Sequence, residues 1–144
     1  MFKRILASTD GSELSLKGVA GAAALASSLG AQLLVLMVEE PYSYANVTAY
    51  RPESFEGYED RVKMETEAAF DGAMKAASLS GVVPELLSVR DPSPAEAIVR
   101  ICRERSCDLI AMASRGRSGL SAVILGSVTR KVLSASPVPV LVYR

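Results

Sequence analysis

The residues best suited to chemistry lie between Met112 and Val132, in the stretch MASRGRSGLSAVILGSVTRKV. A hydrophobic run ends at Met112, and Ala113, Ser114, Arg115, Gly116, Arg117, Ser118 and Gly119 follow. Glycines let backbone N–H groups come close to an anion. The hydroxyls of Ser114, Ser118 and Ser127 can donate hydrogen bonds, and Arg115 and Arg117 supply charge. A phosphate group would suit this composition. The same residues also make an ordinary turn with solvated arginines, and spacing alone leaves both readings open. The run is not a P-loop, because no Gly-Lys-Ser/Thr follows, and it is not GxGxxG. Gly126 raises a sharper question, since glycine in a helix interior costs roughly 1 kcal/mol relative to alanine. Asp10, within Ser8-Thr9-Asp10-Gly11-Ser12, is also two-sided. Local sequence favours a cap on the following helix through Gly11-Ser12, and a carboxylate there can equally accept hydrogen bonds from a ligand's hydroxyls or amine.

Other chemistries are poorly supplied. The chain has no histidine, and its two cysteines, Cys102 and Cys107, lack the CxxC spacing, so no zinc site is expected. Buried free thiols in a reducing cytosol are expected instead. No nucleophile has an evident base nearby, so no catalytic set is expected. Sixteen basic residues balance sixteen acidic ones, which argues against nonspecific nucleic-acid binding. Ile5-Leu6-Ala7 is too short for a signal-peptide core. No apolar run approaches the ~18 residues of a membrane span. A soluble cytoplasmic protein of one domain, residues 1–144, is expected, and 49% apolar residues suffice for a sizeable core.

The elements that must position these residues alternate. Strands are predicted at 4–9, 31–38, 83–89, 107–113 and 137–144. Helices are predicted at 12–30, 57–80, 93–105 and from about Leu120 to Ala135. Gly30 reads as a C-terminal stop, and Ser93-Pro94 as a cap followed by the first helical residue. In the last helix Leu120, Val123, Ile124, Val128 and Val132 are expected to face inward. The second strand is apolar on both faces, as in parallel sheets covered on both sides. The order β-α-β-α-β-α-β-α-β with right-handed crossovers implies an open five-stranded parallel sheet with helices on both faces. Ligands on such sheets bind beyond the carboxyl ends of the strands, where strand order reverses. Residues 39–56 form a long connection with half of the chain's aromatics, Tyr42, Tyr44, Tyr50 and Phe55. A lid, a partner surface and a mobile excursion are all open readings of it.

Over its whole length the chain resembles the universal stress protein family. ILASTDGSELS is similar to that family's first strand and turn, and CDLIAMASRGRSGLSAVILGSVTRKVLSASPVPVLVYR to its C-terminal third. The family's ATP-binding branch carries G-x2-G-x9-G-[S/T]. Gly116 matches the second glycine, and Gly126-Ser127 follow after nine residues. The first position falls on Ala113, a departure. If the backbone there has φ > 0, alanine costs roughly 1–2 kcal/mol. If the glycine only permits close approach, one methyl is at stake.

The resemblance implies strand order 3-2-1-4-5 in a Rossmann-like sheet similar to that of adenine-nucleotide α-hydrolases. It implies a nucleotide-binding set of Ser8, Thr9, Asp10, Val38, Met112, Ala113, Ser114, Arg115, Gly116, Arg117, Gly119, Gly126, Ser127 and Val128. Thr9 and Asp10 would approach the nucleoside, and the Val38 backbone the base. Gly126 would sit in the first turns of the last helix, leaving room for phosphate or ribose. The implied ligand is ATP, with Mg or Mn carried by its phosphates, and the implied assembly is a homodimer through the last strand. A binding module in stress response or signalling is expected, with slow ATP hydrolysis at most and an unknown protein partner. The rival is a non-nucleotide-binding dimeric interaction protein on the same scaffold. A nucleotide-using enzyme is a third reading, for which no second domain or substrate-side residues are evident.

Overall fold

A computed structural model describes residues 1–43, 53–116 and 124–144. Its strands are β1 (Arg4–Ser8), β2 (Gln32–Glu39), β3 (Glu85–Arg90), β4 (Leu109–Ala113) and β5 (Val140–Tyr143). Its helices are α1 (Glu13–Leu29), α2 (Phe55–Ser78), α3 (Pro94–Glu104) and α4 (Ser127–Ala135). The sheet is parallel throughout, in the order β3-β2-β1-β4-β5. Strand order therefore reverses between β1 and β4, which pair from Ile5↔Leu109 to Ala7↔Ala111.

Alternation of side chains across the pleat divides the core. Ile5, Ala7, Leu33, Val35, Leu109 and Ala111 meet α1 and α2 on one face. Leu6, Leu34, Leu36, Ile110 and Met112 meet Ile98 and Ile101 of α3 and Val132 of α4 on the other. The first face is built from small residues, including Ala22, Ala23, Ala26, Ala73 and Ala77. Small side chains bring α1 close to the sheet and to α2, where a Cβ on Gly72 would stand 2.9 Å from Leu16 Cδ1.

Local signals act where the sequence places them. Gly30 caps α1 in the left-handed region with φ 64°. The Ser93 hydroxyl accepts the Glu96 N–H, with Pro94 opening α3. Both cysteines are buried free thiols. Burial is the main cause that raises both, and it pushes Cys107 up to about 11.

Three expectations are corrected. The last helix does not begin near Leu120: α4 starts at Ser127 with Gly126 as its N-cap, and Ile124 is 54% exposed rather than inward. Leu120 and Val123 lie outside the described residues. The physical reason is that periodicity marks an apolar stripe and not the residue at which the backbone enters the helix. The third strand begins at Glu85, and Val83 is 82% exposed. Asp10 does not cap α1: the Ser12 hydroxyl takes the Ser15 N–H, while Asp10 Oδ1 accepts the Ser12 N–H at 2.9 Å.

Of the 39–56 connection, residues 44–52 lie outside the described residues, Tyr44 and Tyr50 among them. Its two ends are packed together. The Tyr42 ring lies 5.5 Å from Phe55 and 5.3 Å from Tyr58. The Tyr42 hydroxyl donates to the Glu53 carbonyl at 3.0 Å, and the Tyr58 hydroxyl donates to the Glu40 carbonyl. No described helix is long and apolar enough to cross a membrane.

Candidate functional site

The turn after β1 is built almost wholly from its own residues. Thr9 is buried, and its N–H extends the sheet by donating to the Leu36 carbonyl at 2.9 Å. Its hydroxyl shares a hydrogen bond of 2.8 Å with Ser15 and accepts the Gly11 N–H. Gly11, at φ 82°, takes the left-handed conformation that reverses the chain. Asp10 and Ser12 then set the entry into α1. The Asp10 carboxylate is thereby held at the crevice mouth, with its second oxygen facing Gly116.

The loop after β4 is held from elsewhere. The Thr129 hydroxyl of α4 donates to the Ala113 carbonyl at 2.9 Å and lies 3.3 Å from that of Ser114. The Ser114 N–H donates to the Tyr143 carbonyl of β5 at 2.6 Å, and the Gly126 N–H donates to the Ser114 carbonyl at 2.7 Å. Both ends of the loop are thus tied together at a neck. A Cβ on Gly116 would overlap the Asp10 carboxylate, so the two walls touch here.

Between the walls lies a crevice of about 200 Å³. Ser8, Thr9, Asp10, Val38, Met112, Ala113, Arg115, Gly116 and Val128 line it, as the sequence leads one to expect. Ser15, Pro94, Ile98 and Thr129 line it too, and were not anticipated. Ser15 and Thr129 stand at the third helical positions of α1 and α4, where a hydroxyl looks back at the preceding strand end. That position was the available signal. Pro94 and Ile98 come from α3 and carried none. Val38, Ile98, Met112 and Val128 form an apolar slot, and the hydroxyls of Thr9, Ser15 and Thr129, one carboxylate and one guanidinium surround it. Bounded by the described residues alone, this volume is below the roughly 300–1,000 Å³ of ordinary ligand clefts.

Three expected site residues do not line the crevice. Ser114 and Gly126 sit behind it at the neck. Gly126's missing side chain faces protein backbone, 3.3 Å from the Ser114 carbonyl oxygen and 3.4 Å from Arg115 Cα. It is not a glycine of the helix interior, and the space it leaves is filled by the loop. Ser127 opens instead onto a neighbouring groove with Ser93, Glu96, Arg130 and Lys131. Arg117, Ser118 and Gly119 lie outside the described residues. Ala113 is an ordinary strand residue, 7% exposed, and is not among the described residues with positive φ. Of the two consequences its methyl could have, backbone strain is removed and steric contact remains. Among the described residues no cluster of three metal-ligating side chains occurs, and Asp10 is the sole carboxylate lining the crevice.

A doubly wound parallel sheet whose crevice opens at its topological switch point defines a class of proteins that bind ligands there. Within that class, the universal stress protein family profile matches residues 1–144. A universal stress protein of Thermus aquaticus, encoded in the QAH/OAS sulfhydrylase 3' region, is 37% identical over the full length of both chains. Universal stress protein YxiE of Bacillus subtilis is 35% identical, again over the full length of both. The chain belongs to the universal stress protein family. Among solved structures, a universal stress protein in complex with cAMP superposes with a TM-score of 0.75 at 27% identity, over 99% of this chain and 97% of that one.

Proposed function

We propose that this protein is a cytoplasmic, single-domain adenine-nucleotide-binding module of stress response or signalling rather than an efficient enzyme. The observation that carries the reading is the crevice itself: Asp10, Val38, Met112, Ala113, Arg115, Gly116 and Val128, drawn from four separate parts of the chain, line one cavity at the β1/β4 switch point. The similarity to a relative solved with cAMP supports an adenine nucleotide as the ligand. The base lies in the apolar slot against Val38, Asp10 accepts hydrogen bonds from the nucleoside, and the phosphates of ATP run along the loop from Ala113 towards Gly119, with Arg115 and Arg117 supplying charge. One acidic side chain does not make a cation site, so Mg or Mn arrives with the phosphates. Mass spectrometry of small molecules released from the purified, denatured protein, followed by titration with ATP, AMP and cAMP, tests this. An adenine nucleotide in the extract and saturable binding are expected. No nucleotide and no binding would overturn the reading.

We further propose a homodimer through β5. Among the described residues β5 pairs with β4 on one side only, and Leu141 is 37% exposed. Apolar, uncharged edges of this kind invite pairing, so two copies of β5 meet antiparallel about a twofold axis. Sedimentation should show a dimer at micromolar concentration that Val140→Pro disrupts. A wild-type monomer would overturn the assembly.

One observation favours the rival, a dimeric interaction protein that binds no nucleotide. Gly126, part of the motif match, faces the Ser114 carbonyl and Arg115 Cα, so close backbone packing favours a glycine there apart from any ligand. Extraction of nucleotide separates the two readings.

A further inference from the structure

Tyr143 closes β5, and the nucleotide reading makes no use of it. Its main chain and its side chain reach the two different walls of the crevice. In register it stands beside Ala113, and its carbonyl takes the N–H of Ser114, where the β4–α4 loop leaves the sheet. Its ring turns the other way and lies on α1. A Cβ on Gly18 would stand 3.6 Å from Tyr143 Cδ2, and a Cβ on Gly21 would overlap the ring outright. Gly18 and Gly21 are three apart, hence neighbours on one helix face, and they form a notch for the ring. Burial of that ring pushes the phenol above the usual tyrosine range. α1 is the helix whose first turn carries Ser12 and Ser15, and with them the turn after β1.

We infer that Tyr143 is a positioning residue of the crevice: its ring, seated in the Gly18–Gly21 notch of α1, fixes the end of β5, and β5 holds Ser114, so the two walls keep one spacing. The inference rests on the reading of the crevice as a nucleotide site. It gives the two glycines of α1 a role, and it places a contact of the site on the strand whose outer edge is open for assembly.

The test is titration of ATP and, in parallel, cAMP into wild type, Gly21→Ala, Tyr143→Ala, the double variant and Tyr143→Phe. Hydrogen exchange of the Ser114 amide in the unliganded proteins is followed alongside, with the Leu6 amide of β1 as reference for global opening. Gly21→Ala should expel the ring and weaken binding about tenfold, and Tyr143→Ala should do the same. The double variant should be no weaker than either single one, because no ring remains to be expelled. Tyr143→Phe keeps the ring and should bind within about twofold of wild type. Ser114 exchange should rise in the Gly21→Ala and Tyr143→Ala proteins while Leu6 exchange holds. Binding by Gly21→Ala equal to that of wild type overturns the inference and leaves the nucleotide reading standing. So do additive losses accompanied by faster exchange at both amides, which mark a merely structural contact. Wild type that binds neither nucleotide overturns the nucleotide reading and this inference with it.

Discussion

The two walls of the crevice are made in opposite ways. The side-chain bonds of the turn after β1 are mostly local: Thr9, Asp10, Gly11, Ser12 and Ser15 bond one another within seven residues, and the Thr9 N–H ties the turn to the Leu36 carbonyl of β2. The loop after β4 is tied by groups remote along the chain, the Thr129 hydroxyl 15 and 16 positions on and the Tyr143 carbonyl in another strand. The first wall draws most of its support from residues close by in the sequence. The second exists only where α4 and β5 have already docked. A ligand held between them therefore reports chiefly on the second wall, and the Asp10–Gly116 contact is where one wall is set by the other.

The largest effect should come from the neck of the second wall. Gly126→Val places a branched side chain against the Ser114 carbonyl and Arg115 Cα. It should abolish nucleotide binding and also destabilise the unliganded protein by about 1–3 kcal/mol, the usual range for overpacking. Titration with thermal unfolding checks both. Binding lost at unchanged melting temperature would show that the glycine serves the ligand instead, and the contrast between the walls would weaken.

Next comes the contact between the walls. Gly116→Ala should push the Asp10 carboxylate aside and weaken binding by about tenfold or more, with little loss of stability. Removing the obstacle sharpens the test: Asp10→Ala combined with Gly116→Ala should bind no worse than Asp10→Ala alone. Strictly additive losses would mean that the two walls do not meet in solution as they do here.

A smaller pair of effects separates local from remote support. Thr129→Val takes the hydroxyl donor from the Ala113 carbonyl, while that of Ser114 keeps the Gly126 N–H, and should cost about 1–3 kcal/mol, with a loss of affinity. Ser12→Ala removes the hydroxyl that takes the Ser15 N–H and should cost about 1 kcal/mol, with affinity within about twofold, since the Thr9–Ser15 hydroxyl bond and the Asp10 bond to the backbone N–H at position 12 do not need it. Urea unfolding and titration of both variants decide this. Equal damage to affinity would erase the distinction.

The smallest effect concerns the departure from the family motif. Ala113 lies in ordinary strand geometry, so Ala113→Gly relieves no backbone strain. ATP affinity should rise by less than about tenfold, the scale of one methyl group. The unliganded protein should lose about 0.5–1 kcal/mol, because glycine in a strand is entropically unfavourable. A larger gain in affinity would show that the methyl at 113 is the main obstacle to the phosphates.

Much of this architecture was legible in the sequence because it rests on short-range rules. The five apolar runs and the helices between them, the stop at Gly30 and the Ser93-Pro94 start of α3 follow from periodicity and capping chemistry, which act over a few residues. The strand order was not read from periodicity; it came with the family resemblance, and the pairings bear it out. The start of α4 was missed because an apolar stripe continues through Ile124 while the backbone enters the helix only at Ser127. Asp10 and Ser12 are both good capping residues two positions apart, and only the course of the chain out of β1 selects between them.

The sequence by itself offered hydroxyls, glycines and charges at strand ends as candidates, because these are local facts, and the family resemblance singled out which of them would meet a nucleotide. Only the tertiary structure decided which of them face the crevice. It turned Ser127 towards another groove, set Gly126 against backbone, and brought Ser15, Pro94, Ile98 and Thr129 to the lining. The physical reason is the long-range pairing of β1 with β4 and of β4 with β5. Those pairings set Ile5 beside Leu109 and Ile110 beside Val140, and neither register can be inferred from the residues of one strand alone. Which side chains end on the crevice side is settled by that register and by how closely the glycine-notched α1 lets Tyr143 and the loop approach it.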